Sequence, residues 1–240
     1  MSINRTTFFN YVRKAPFGGR LIQSQIDGMT AILDAWESFT STDVRWLAYM
    51  FATAFHETGA TMQPVRETLA KSDAQAIARL ESAYKSGKLR SVKTPYWRKD
   101  ANGLSWFGRG LVQLTWKPNY VRMGDILGIP LDKNPSLALD LETAVQIMFE
   151  GMTKGASSKG DFTGKSLENY FNSTTDDPVG ARKIINGTDK AQLIAGYHKN
   201  FLDAITEAMK AERYGMLPVL GAETALNSVD IPVDRVVGDR

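Results

Sequence analysis

VRWLAYMFATAFHETGATMQPVRE, residues 44–67, joins a long apolar run to two glutamates ten positions apart. Val44, Leu47, Ala48, Phe51 and Phe55 recur at helical spacing and make one apolar stripe. Ser41 or Thr42 is placed to cap this helix, and Gly59 to end it near Thr58. Glu57 follows Met50 and Ala54 at seven and three positions, so it borders the buried stripe. At a helix C-terminus the macrodipole is negative, and partial burial acts the same way. Both favour the protonated carboxyl, as a general acid working near neutral pH requires. Glu67 comes after a short loop turning at Gly59 and Pro64, which can set it facing Glu57 across a groove. Position alone leaves the plainer alternative open for both: a solvated surface glutamate. A His-Glu-x-x-His zinc motif would need histidine at 60, where the chain has Ala60. His56 is therefore expected to be structural, beside the site.

On either side of this stretch the chain reads mostly as helix. TTFFNYVRK stops near Pro16, and SQIDGMTAILDAWESF carries Ile26, Met29, Ile32, Leu33 and Trp36 at helical spacing. SDAQAIARLESAYKSGK is another capped helix. NYVRMGDILGI, LDLETAVQIMFEGM, SLENYFN, DPVGARKIING and AQLIAGYHKNFLDAITEAMKAE read as helices or helix ends. In WFGRGLVQLTW, Val112, Leu114 and Trp116 alternate with Gln113 and Thr115, the period of a half-buried strand. That alternation predicts Gln113 and Thr115 facing a cleft, with Asn119 shortly after. Amides and a hydroxyl suit a sugar, whose hydroxyl and N-acetyl groups they can hydrogen-bond, or they can hold a water. The same residues are also normal on the wet face of an edge strand. The glycines at 108 and 110 complete no phosphate-loop pattern.

The totals narrow the classes. The 240 residues suffice for one sizeable domain or two small lobes. There is no cysteine and there are only two histidines, His56 and His198, so no disulfide, Cys-based zinc site or His-rich metal centre is expected. The net charge of +3 permits an anionic partner without demanding one. Residues 85–99 hold Lys85, Lys88, Arg90, Lys93, Arg98 and Lys99 and no acid. With Tyr84, Tyr96 and Trp97 this stretch could stack on bases or sugars, though a solvated loop accounts for the charges most simply. No window approaches the roughly 18–20 apolar residues of a membrane span. The N-terminal stretch has no apolar core of signal-peptide length, so synthesis in the cytoplasm and export by another route are expected. Residues 216–240 lose helical period and are expected to form an extended tail.

AFHETGATMQPVRE, the Tyr96-Trp97 pair, WFGRGLVQLTWKPNY and ARKIING, in this order, resemble glycoside hydrolase family 19, the plant-type chitinases and related bacterial and phage endolysins. The resemblance runs from about residue 45 to 205, and the block around Gln113 and Thr115 is its most specific part. It implies a mainly α, lysozyme-like fold of two lobes with a small β element and a cleft between them. The implied layout is a hydrolase domain over 1–215 followed by the tail at 216–240.

The resemblance also assigns roles. Glu57 falls on the family's general acid, Glu67 on its base in the short bacterial branch, and Thr115 on the hydroxyl that positions the water. Gln113, Asn119, Asn186 and Tyr96 fall on substrate-binding positions. The family's arginine after the NG turn has no counterpart here, and Arg66 is the expected substitute. Unlike the plant members, the chain has no cysteine. Two carboxylates suffice for glycoside hydrolysis, so no cofactor and no metal are expected. The expected activity is inverting cleavage of β-1,4 bonds in peptidoglycan by an endolysin-like enzyme acting on the wall after release. A holin is the candidate partner for release, and neither nucleic-acid binding nor membrane insertion is expected. The alternatives are a chitinase acting on N-acetylglucosamine polymers, and a non-catalytic module binding glycan or nucleic acid.

Overall fold

The computed structural model describes residues 2–153 and 162–214. The tail expected at 216–240 lies outside the described residues. In chain order the helices are α1 (Arg5–Lys14), α2 (Gln23–Glu37), α3 (Val44–Glu57), α4 (Asp73–Lys85), α5 (Lys117–Leu127), α6 (Leu141–Thr153) and α7 (Ala191–Tyr214). Two short strands, β1 (Val65–Arg66) and β2 (Arg109–Gly110), pair antiparallel with Val65 opposite Gly110 and Arg66 opposite Arg109. The expected class holds: mainly helical, with one small β element.

α3 is the axis of the larger lobe. Every residue from Leu47 to Phe55 is buried, so the helix exceeds its predicted stripe and is covered on all sides. α7 packs along it, with the Phe51 and Phe201 rings stacked at 5.2 Å and 18°. α1 closes the other side through Phe8, whose ring centroid is 5.2 Å from that of Phe51. The cap is Asp43, not Ser41 or Thr42: its carboxylate accepts from Arg45 N at 3.1 Å. Asp43 also holds the Arg45 side chain, which reaches the carbonyls of Asn172 and Thr175. The carboxylate thus caps the helix and also pairs with the Arg45 guanidinium.

A second, smaller apolar cluster gathers Ala70, Ala76, Leu80, Leu89, Tyr96, Trp97 and Phe107 around α4. It is distinct from the main core, and the two clusters are the two expected lobes. Two expectations are corrected. The alternation at Val112–Trp116 does not make a strand, because only Arg109 and Gly110 are extended in the ladder. Leu111–Gln113 form a turn, and Leu114 bridges back to Arg109 through both backbone hydrogen bonds, at 3.1 and 2.9 Å. Gly110 (φ 95°) and Gln113 (φ 55°) close this reversal, and all four residues from Leu111 to Leu114 are buried. The segments at 166–172 and 177–187 form only short 3-10 turns, Leu167–Asn169 and Gly180–Ile184. No helix among the described residues is long and apolar enough to cross a membrane.

Candidate active site

A groove of about 560 Å³ runs between the lobes. Residues 91–94 and Tyr96 line one side, Val112–Trp116 and Asn119 another, and Phe162, Ile185 and Asn186 complete it. Five of the residues singled out in the sequence, Tyr96, Gln113, Thr115, Asn119 and Asn186, therefore meet in one place. The reversal at 110–114, rather than a strand, is what presents Gln113 and Thr115. Gly108 lets them close in: a Cβ there would lie 2.8 Å from Gln113 Oε1 and 3.1 Å from Thr115 Oγ1.

The polar groups of the groove are held in place by the backbone. Thr115 Oγ1 donates to the Gln113 carbonyl at 2.8 Å, so its remaining role toward a water or sugar is as an acceptor. Gln113 Nε2 donates to the Val65 and Gly110 carbonyls, at 3.1 and 3.3 Å, and so ties the loop before Glu67 to the reversal. Asn119 Nδ2 donates to the Thr115 carbonyl at 2.8 Å.

Neither glutamate is a solvated surface residue. Glu67 is 8% exposed; one carboxylate oxygen accepts from Tyr96 Oη at 2.8 Å and the other from Gly108 N at 2.7 Å. Its own N–H donates to the Gly108 carbonyl at 2.7 Å. Thr68 and Leu69, just beyond it, have φ of 63° and 52°, which a β-branched residue such as Thr68 rarely adopts. Such strain persists only where surrounding contacts fix the chain, and here they fix the carboxylate against the groove-lining Tyr96.

Glu57 closes α3 as the sequence predicts, with Thr58 as its C-cap and Gly59 at φ 59°. Its partner was not foreseen. Arg182 Nη1 donates to Glu57 Oε1 at 2.6 Å, with the two side chains 3% and 5% exposed. Arg182 belongs to the 3-10 turn Gly180–Ile184, and its carbonyl accepts from Asn186 N at 2.9 Å. One short turn thus delivers a guanidinium to Glu57 and an amide side chain to the groove. The guanidinium stands against the buried carboxylate and compensates its charge.

Arg66, the expected substitute, is engaged elsewhere. It donates to Asp73 at 2.6 Å, and Asp73 also accepts from the buried Arg109 at 2.9 Å. Burial pushes the Asp73 carboxyl up, but the hydrogen bonds and charges of Arg66 and Arg109 outweigh it and hold it below the usual range. This clamp fastens both strands to the start of α4. His56 is half-buried and depressed by burial, although the neighbouring Glu57 pulls the other way. Among the described residues no group of His, Cys, Asp and Glu could hold a metal ion. Trp97 is fully buried with Nε1 donating to Glu81 at 3.0 Å, and Tyr96 is 7% exposed. The basic stretch therefore offers no open row of aromatics for stacking.

Sequence reasoning passed over two further residues. Arg182 lies inside ARKIING, where nothing marks which cation turns inward. Trp116 is 40% exposed on the groove, with its ring 4.6 Å from Tyr96. A large aromatic left half in water beside polar groups was the available signal.

No family model matches the chain, and no curated protein matches it either. Solved structures do. The chain is similar to chitinase C from Streptomyces griseus HUT6037, at 22% identity and a TM-score of 0.47, over 85% of this chain and 76% of that one. A mutant of chitinase C matches at 20% identity and 0.44, over 85% and 92%. A bacterial family 19 chitinase matches at 21% and 0.39, over 85% and 94%.

Proposed function

We propose that the chain is a glycoside hydrolase that cleaves β-1,4 bonds between N-acetylated amino sugars, with peptidoglycan as its substrate in the manner of an endolysin. The observation that carries this reading is the convergence at one groove of Tyr96, Gln113, Thr115, Asn119 and Asn186, with Glu67 held behind it by Tyr96. The motif resemblance to family 19 supplies the roles. Glu57 protonates the leaving glycosidic oxygen. Glu67 takes a proton from a water that the Thr115 oxygen accepts from, and the water attacks the anomeric carbon on the opposite face. The released reducing end then carries inverted configuration. Arg182, which donates to Glu57 Oε1 at 2.6 Å, fixes the orientation of that carboxyl.

Chitin is the second reading, because the bond and the acetamido groups are the same. Purified protein is assayed for reducing ends on permeabilised bacteria, on colloidal chitin, and for binding to single-stranded DNA. Release from the first that falls 10²–10⁴-fold in Glu57→Gln is the expected result for loss of a general acid. A variant retaining more than about a tenth of the rate contradicts the assignment. Release from chitin alone selects the second reading, and DNA binding without release selects a binding module.

A further inference from the structure

The groove is lined by one cation, Lys93, that the proposed chemistry does not use, and Lys93 belongs to a basic stretch, which we call the rim. Lys85, Lys88, Arg90, Lys93, Arg98 and Lys99 are all exposed. Glu81 draws in Arg98 at 2.9 Å and Lys85 at 4.0 Å. Lys88, Arg90, Lys93 and Lys99 have no ion pair among the described residues. The segment that carries them is fixed. Leu89 is 6% exposed in the small-lobe cluster and Val92 packs against it. Val92 N donates to the Leu89 carbonyl at 3.1 Å, and Lys88 N to the Ala83 carbonyl at 2.9 Å. With Leu89 and Val92 turned in, Lys88, Arg90 and Lys93 face water, and Ser91–Thr94 form a wall of the groove. Lys93 is the only charged side chain among the described residues lining that groove.

We infer that this rim makes the enzyme select glycan strands that carry carboxylates, with Lys93 as the contact nearest the groove and Lys88 and Arg90 extending its field. The inference rests on the hydrolase reading above. A neutral amino-sugar polymer gives an unpaired cation in the groove nothing to bind. A peptidoglycan strand presents stem-peptide carboxylates that branch from the sugar chain. Glu57 is already compensated by Arg182, so it does not cancel the rim. At physiological salt the screening length is about 8 Å, so the rim acts on branches passing over it and the net charge of the whole molecule matters little.

Binding at 4 °C to insoluble sacculi from a bacterium without wall teichoic acid tests this. The same sacculi with their carboxylates amidated, and colloidal chitin, are run in parallel. The wild type is expected to sediment about fivefold more on native than on amidated sacculi, with the difference lost in 0.5 M salt, because exposed ion pairs are screened. Lys93→Glu brings that ratio towards one, Lys88→Glu/Arg90→Glu/Lys93→Glu completes the loss, and Lys93→Arg restores it. Equal wild-type binding to native and amidated sacculi overturns the inference, as does a Lys93→Glu variant that keeps the ratio. A preference appearing only on walls that still carry teichoic phosphate also overturns it, by placing the anion elsewhere. Reducing ends are assayed in matched samples after warming to a temperature that permits turnover. Their absence from every polymer, with the binding ratio intact, counts against the hydrolase and leaves the rim standing.

Discussion

At the scale of single residues the account turns on Glu57 and Arg182. Both side chains are nearly fully buried, so each needs the other. Arg182→Ala removes the guanidinium from a buried carboxylate and is expected to cost about 3–5 kcal/mol in chemical denaturation. Glu57→Gln/Arg182→Met, which removes both charges, is expected to recover most of that loss. A double variant no more stable than Arg182→Ala contradicts the pairing. His198 gives a separate, pH-linked prediction. It is 4% exposed, its Nε2 has no hydrogen-bond partner, and its ring stacks on Phe171 at 5.1 Å. Burial pushes it down to about 4. The unfolded chain takes up a proton near pH 6.5 while the folded chain does not. This stability is therefore complete above about pH 6.5 and is lost as the pH falls towards 4, by about 3 kcal/mol. His198→Phe is expected to flatten the stability curve across that window, and an equally steep curve in the variant contradicts the assignment. Glu57 was legible because a helix period, a glycine stop and an apolar stripe all bear on it locally. Arg182 was not, because its partner lies 125 positions away and ARKIING has several residues able to face inward.

At the scale of elements, α3 and the loop leaving it decide where the glutamates stand. The loop from Thr58 to Glu67 is pinned to α2. Gln25 Nε2 donates to the Ala60 carbonyl at 2.9 Å, and Gln63 Nε2 to the Ser24 carbonyl at 2.6 Å. Gly28 makes the contact possible, since a Cβ there would fall 1.8 Å from the Met62 carbonyl oxygen. Gly28→Ala must push α2 and the loop apart. The expected cost is about 1–3 kcal/mol, together with lost activity, because the displaced loop carries Glu67. A variant with wild-type rate and stability contradicts this role for the loop. Most helices were readable from apolar spacing and capping residues, and α1, α2, α4, α6 and α7 fall close to where the pattern put them. The strand at 112–116 was misread because alternation cannot see a reversal. Gly110 and Gln113 at positive φ turn the chain back within a few residues, and alternate side chains no longer face opposite sides. The polar pair reaches the groove all the same, since the turn and the imagined strand both begin beside β1.

At the scale of the whole molecule, two apolar clusters enclose a groove whose polar residues come from segments far apart in sequence. The class of fold could be anticipated from the sequence because motif order carries long-range information, and five of the residues singled out there line one groove. The rim could not, because a basic run reads the same whether it edges a groove or faces open solvent. The central claim is that a groove of this composition, with Glu57 as acid and Glu67 as base, hydrolyses an amino-sugar β-1,4 bond by direct attack of water. Proton NMR of the reducing end first released from soluble peptidoglycan strands, read before mutarotation, tests it most directly. The account predicts the α-anomer at early times and no product from Glu57→Gln. A first-formed β-anomer, a trapped glycosyl-enzyme on Glu67, or a 1,6-anhydro product would contradict it.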